Sequence, residues 1–222
     1  MQSSVTARSL PFIPEFEPDF AYDISIADYS INRPRNNHFI PRPLGIGESV
    51  PDFKLSRQTG VWQQLPAHLF SSQAISLTNL IDHKPLVISF YSPEWGDYSQ
   101  THLDMLDKAH QKISGLGGQL LVLTHLSVNA ITQLINTHGL KFNLVTDTDN
   151  EIAERLGAYS AAYPLWQQVS GINEAVPAPA TLVVAPTGVV VHSFHSPYLS
   201  EWFDIREVLT AVYTVKDMRQ SA

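Results

Sequence analysis

The run Leu86-Val87-Ile88-Ser89-Phe90-Tyr91 constrains this chain more than any other segment. It has strand length and no polar alternation, which marks a β-strand buried on both faces. Such a strand needs cover on both faces, which helices above and below it give in an α/β layering. The flanking patterns supply them. Thr101 to Ile113 repeats apolar residues at Leu103, Leu106, Ala109, His110 and Ile113 and stops at Gly115, which predicts a helix. Leu120 to Thr124 is a second buried strand. Val128 to Thr137 carries the stripe Ala130, Ile131, Leu134 and Ile135 and ends before Gly139. Phe142 to Val145 reads as a third strand, and Asp147 to Tyr159 as a turn, a capped helix and an exit at Gly157. Ala180 to Val184 and Val189 to Phe194 flank Ala185-Pro186-Thr187-Gly188 as a hairpin, and a last helix spans Trp202 to Val215. Leu77 to Asp82 is a short connecting helix or turn.

The chain of 222 residues suits one domain with an appendage, or two small domains. Its 44% hydrophobic and 16% charged residues allow a sizeable core. A net charge of -7 without a basic stripe argues against a nucleic-acid partner, because phosphate neutralisation needs clustered Lys and Arg. Met1 to Pro11 has no apolar signal core, and no run approaches the roughly 20 apolar residues of a membrane helix. A cytoplasmic protein without membrane contact is expected. The chain has no cysteine, which excludes disulfides and thiolate metal sites.

Residues 1–44 differ in character from the rest. Pro11, Pro14, Pro18, Pro34, Pro41 and Pro43 interrupt any regular pattern, yet Phe12, Phe16, Phe20, Tyr22, Tyr29 and Phe39 are more aromatic than a solvated linker needs. An extended N-terminal arm laid over a surface is expected here, with residues 45–222 as the α/β domain. A homodimer formed through the arm, or through the sheet and loop surface, is the expected assembly.

Several segments, in the right order, resemble the AhpC/TSA peroxiredoxins and related redoxins of the thioredoxin-like superfamily. The strand followed by Ser92-Pro93-Glu94-Trp95-Gly96-Asp97-Tyr98-Ser99 is similar to their active-site loop. Asp147-Thr148-Asp149-Asn150-Glu151-Ile152-Ala153 with Leu156-Gly157 is similar to "D-x-D/N-G-x-x-A…Y-G". Val176 to Gly188 is similar to "P-A-T-F-V-I-D-x-x-G". The resemblance covers Gly45 to Val215. It implies a thioredoxin-like, peroxiredoxin-type three-layer fold around a central mixed sheet. It also implies a cis bond before Pro179 and the meeting of Trp95, Asp97, Tyr98, Ser99 and Pro179 at one end of the sheet as a binding site.

The family's activity rests on P-x-x-x-T-x-x-C. Aligned on Ser99, the motif's proline falls on Ser92, its threonine on Gly96 and its cysteine on Ser99, so all three have changed. In the C-x-x-C form, Gly96 and Ser99 replace both cysteines. Peroxide reduction needs a thiolate that becomes a sulfenic acid, and a serine hydroxyl has no such oxidised state. The expectation is a redox-inactive protein that binds or scaffolds a redox or other protein partner and carries no cofactor. One alternative is an antioxidant oxidoreductase component that borrows a partner's thiol. Another is an unrelated hydrolase using the cleft near Asp97, Tyr98, Ser99 and His102, although the G-x-S-x-G elbow is missing. Ser99 is more simply a helix cap and Met105 a packing residue. The nine histidines show neither H-x-x-x-H nor H-E-x-x-H spacing, so no metal is expected; His192 and His195 fall on opposite strand faces. Gly115-Leu116-Gly117-Gly118 lacks the lysine of a phosphate-binding loop and reads as a turn.

Overall fold

The computed structural model describes residues 42–220, with side chains to residue 216. The arm expected over residues 1–44 lies, up to residue 41, outside the described residues. From Arg42 onward the chain is docked. Leu44 donates its backbone N–H to the Leu156 carbonyl at 3.1 Å. Pro43 and Arg42 pass directly over Gly157, whose φ of +76 and lack of a Cβ permit the approach.

Among the described residues, eight strands form two sheets. Strands β1 (Lys54–Ser56) and β3 (Ala74–Ser76) pair as a small antiparallel ribbon. The main sheet contains β2 (Gly60–Val61), β4 (Leu86–Tyr91), β5 (Gln119–Thr124), β6 (Asn143–Thr146), β7 (Ala180–Val184) and β8 (Val190–His195). Its order is β2-β6-β5-β4-β7-β8. The β4–β5 and β5–β6 pairs are parallel, and the β2–β6, β4–β7 and β7–β8 pairs are antiparallel, so the sheet is mixed.

Every residue of β4 and β5 is buried, so helices cover both faces of the sheet and complete the expected layers. The helices are α1 (Leu77–Leu80), α2 (Asp97–Gly115), α3 (Val128–His138), α4 (Glu151–Arg155) and α5 (Ile205–Gln220). Helices α2 and α5 pack on each other and on the central strands, and α3 packs on β2 and β6. Phe90, Ile88, Leu103, Leu106, Ile113, Leu121 and Phe203 are among the fully buried side chains of this core.

Local chemistry sets the element ends. Gly139 closes α3 in the left-handed region at φ 65, returning its N–H to the Ile135 carbonyl. The Asp147 carboxylate accepts the N–H groups of Ile152 and Ala153 at 2.9 and 2.8 Å, capping the short α4. The segment before β1 lies along the start of β8 through an antiparallel bridge, Ser49 to Val189.

Two expectations are corrected. The bond before Pro179 is trans, as are all peptide bonds among the described residues. The trans form is the lower in free energy by about 0.5–1 kcal/mol for X-Pro, and the strand entry accommodates it. The last helix begins at Ile205 rather than Trp202. The Asp204 carboxylate accepts the Arg206 N–H at 2.7 Å and fixes the start there, leaving Trp202 in the preceding loop.

Candidate functional site at the end of the central strands

Strand β4 leaves the core at Tyr91 and turns at once. The Ser92 hydroxyl accepts the Glu94 N–H at 3.1 Å, and Pro93 occupies the first position of a single 3-10 turn, Pro93–Trp95. This turn drives Trp95 inward. The indole is buried, and its Nε1–H donates to the Pro177 carbonyl at 2.9 Å. That bond ties the loop after β4 to the segment before β7. The β4–β7 register pairs Ser89 with Thr181, and carrying it outward sets Tyr91 opposite Pro179. The two loops therefore meet at one end of the sheet.

Gly96 links the 3-10 turn to α2 with φ 58 and ψ −133, a conformation open to glycine and closed to a β-branched residue. Helix α2 begins at Asp97. Ser99 thus lies inside the first turn and is not the cap expected of it, because the cap position falls on Gly96. The Ser99 hydroxyl donates backward to the Gly96 carbonyl at 2.6 Å. Asp97 is exposed at the positive end of the helix, where a carboxylate is favoured.

Aromatic rings fill the space behind the loop. The Trp95 ring meets those of Tyr91, Tyr98 and His102 edge-on, at 6.1, 5.8 and 5.4 Å. Tyr98 stacks on Trp202 with centroids 3.9 Å apart and planes at 10°. Its hydroxyl donates to the Glu201 carbonyl at 2.6 Å, which ties α2 to the loop before α5. Burial pushes the Tyr98 phenol up to about 12, so it stays protonated.

His102 is wholly enclosed, with Nε2 3.3 Å from the Ser89 hydroxyl on β4. Ser89 continues the polar thread to Thr181 Oγ1 at 2.9 Å. Burial lowers His102 to about 4, with the Phe90 backbone opposing the shift. The neutral imidazole is therefore a core group bonded within the sheet.

Of the residues singled out from the sequence, Trp95, Tyr98 and Pro179 are buried, Ser99 is half-buried, and Asp97 and Gly96 reach the surface. A second group stands at the same end of the sheet. Glu94, His125 and Glu174 bring their donor atoms within 4.8 Å of one another. Burial lowers His125, and the carboxylates of Glu174 and Glu94 oppose the shift. Motif spacing misses this group, because its members belong to three separate loops. The one signal in the sequence is that His125 directly follows an apolar strand, where α/β folds place ligand-binding residues.

The sequence profile of the AhpC/TSA family matches residues 46–193. The chain belongs to the AhpC/TSA family. No curated protein sequence matches it significantly. The fold is similar to that of Mycobacterium tuberculosis AhpC, at 19% identity and a TM-score of 0.57 over 81% of this chain and 95% of that one. It is also similar to a reduced 2-Cys peroxiredoxin of Plasmodium vivax, at 18% identity and TM-score 0.59 over 80% and 85%. The peroxidoxin BcpB of M. tuberculosis aligns at 15% identity and TM-score 0.56 over 79% and 97%. These AhpC/TSA relatives share the thioredoxin-like architecture. In this chain no cysteine stands on it.

Proposed function

We propose that this AhpC/TSA protein works by binding or scaffolding and carries out no thiol-based peroxide reduction. The observation that carries this reading is the state of position 99. A hydroxyl stands where the reactive sulfur of the family motif would be, and it donates to the Gly96 carbonyl at 2.6 Å and hydrogen-bonds with the Tyr91 side chain. Serine has no accessible thiolate or sulfenic acid, and the chain has no second thiol to recycle one. The packing of Trp95, Tyr98 and His102 behind the loop supports the same reading. The pairing of His102 with Ser89 weighs against the hydrolase alternative, since the imidazole that would activate Ser99 is engaged elsewhere.

The contact surface in this reading is the end of the sheet where Asp97 and Ser99 border the 196–203 loop. Tyr198 and Trp202 of that loop are 57% and 42% exposed, a polar-tipped aromatic pair suited to protein contact. A second copy of the chain is the first partner to test, with the residues before Leu44 as a contributing segment. Light scattering on the full chain and on a variant lacking residues 1–39 separates arm-mediated from domain-mediated assembly. A cytoplasmic setting accords with the described helices, none of which is long and apolar enough to cross a membrane.

Peroxide consumption by the full chain, with dithiothreitol or a thioredoxin system as reductant, tests the main reading. Consumption at the buffer rate is expected. Turnover clearly above it refutes the reading and returns the chain to the family's oxidoreductases, with the partner-thiol alternative next in line if only the thioredoxin system supports it.

A further inference from the structure

Glu94, His125 and Glu174 reach one point from three loops. Glu94 sits in the turn after β4, His125 is the first residue past β5, and Glu174 lies in the segment that leads to β7. Their potential donor atoms lie within 4.8 Å of one another. His125 Nε2 stands 3.8 Å from Glu174 Oε2, too far for a hydrogen bond. Neither carboxylate has a Lys or Arg partner among the described residues. Two carboxylates gathered around one imidazole without a basic partner repel each other, and a cation between them removes that cost.

Two further features set which atoms of the trio an ion meets. The other ring nitrogen of His125, Nδ1, is closed off from solvent without a hydrogen-bond partner, which leaves Nε2 as the coordinating atom. His125 also lines an open cleft of about 420 Å³ together with Asp149, Asn150, Tyr159 and Ala175. The Glu174 side chain is 59% exposed, so an ion can reach the trio from that side, and the cleft meets the trio only at His125. The cleft lies beside the C-terminal ends of the parallel strands β5 and β6, the usual ligand position in α/β sheets.

We propose that Glu94, His125 and Glu174 form a binding site for a single first-row divalent cation of the zinc class. One imidazole nitrogen with two carboxylate oxygens suits zinc, manganese or ferrous iron better than calcium or magnesium, whose sites are built from oxygen alone. The two carboxylates match the double positive charge. Around a tetrahedral zinc with donors at about 2.1 Å, neighbouring donor atoms lie roughly 3.4 Å apart. The trio must close by a little over an ångström, and the exposed side chain of Glu174 has the freedom to do so. Three protein donors leave a fourth position for water or an anionic oxygen ligand. The site requires no cysteine and does not include Ser99.

The test uses the full chain, stripped with a chelator and titrated with zinc by calorimetry and with cobalt by visible absorption. One ion per chain is expected, with cobalt bands of a low-coordinate nitrogen and oxygen site. His125→Ala should abolish this binding, and Glu94→Gln and Glu174→Gln should each weaken it by roughly tenfold or more. His68→Ala, remote in the chain, should leave it unchanged. Circular dichroism reports whether each variant is folded. If His125→Ala does not fold, the exposed Glu174→Gln decides the matter. Absence of zinc binding, or an affinity unchanged by both glutamine substitutions, overturns the proposal.

Discussion

His102 presents Nε2 to the hydroxyl of Ser89 at 3.3 Å, so an imidazole from helix α2 is bonded into the centre of the sheet. The serine that precedes it by one turn, Ser99, bonds instead with the Gly96 carbonyl and the Tyr91 side chain. This division of partners separates a core polar thread from the surface loop, and it sets how the molecule should respond to acid and to substitution.

Acid should destabilise the fold through His102. Burial lowers its folded-state value from 6.5 to about 4, so the unfolded chain takes up the proton first. The contribution is complete above about pH 6.5 and is lost as pH falls toward about 4, by up to about 3 kcal/mol. His195, lowered to about 4 by burial, acts in the same direction. Urea unfolding followed from neutral to mildly acidic pH should show the fall, and His102→Phe should flatten it. A slope that survives in the variant would assign the acid sensitivity to the other histidines.

Ser99→Cys should create a thiol that iodoacetamide labels, yet peroxide turnover with dithiothreitol should stay at the buffer rate. Ser92 and Gly96 still stand where the family motif has proline and threonine, and Trp95, Tyr98 and His102 still fill the space behind. Appreciable turnover by this single variant would show that the loop retains a working peroxide pocket.

Trp95→Phe should lower stability by about 1–3 kcal/mol, because it leaves the buried Pro177 carbonyl without its donor. Trp95→Ala adds a cavity and should cost about 3–5 kcal/mol. Denaturant midpoints measure both. Equal losses in the two variants would mean that the hydrogen bond, and not the ring's volume, holds the loops together.

Gly96→Thr, which restores the motif's residue type, should cost about 1–3 kcal/mol in backbone strain. No atom from elsewhere in the chain lies within 4 Å of where a Cβ would stand, so the cost at that atom is backbone strain. Gly96→Ala should therefore cost about as much, which thermal unfolding can check. A neutral Gly96→Thr would show that the turn relaxes into another conformation.

The central strands are legible in the sequence because a fully buried strand has no alternative reading. Leu86–Tyr91 and Ala180–Val184 stand where their apolar runs predict them. Strands β2 and β3 escape notice because segments of two or three residues are too short to show a period. Helix α2 starts earlier than its apolar stripe because Gly96 resets the backbone before the stripe begins. The meeting of Trp95 with the Pro177–Pro179 segment follows from motif order. The role of His102 does not, since its partner Ser89 looks in sequence like one more residue of an apolar strand. Glu94, His125 and Glu174 are further out of reach, because only strand order brings three distant loops to the same edge.

The stack of Trp202 on Tyr98 has a practical consequence. Trp202 is 42% exposed, whereas Trp95, on the other side of the same tyrosine, is 3% exposed. Indole emission follows the polarity around the ring, so one end of the sheet carries a red-shifted reporter and a blue-shifted one, with a phenol between them. Trp95 is also one peptide bond from Glu94, and a paramagnetic ion held there would quench the blue component first. With Trp62 and Trp166 replaced by phenylalanine, the intrinsic fluorescence thus offers a dye-free optical channel that distinguishes an event at the surface loop from one at the carboxylate and imidazole trio.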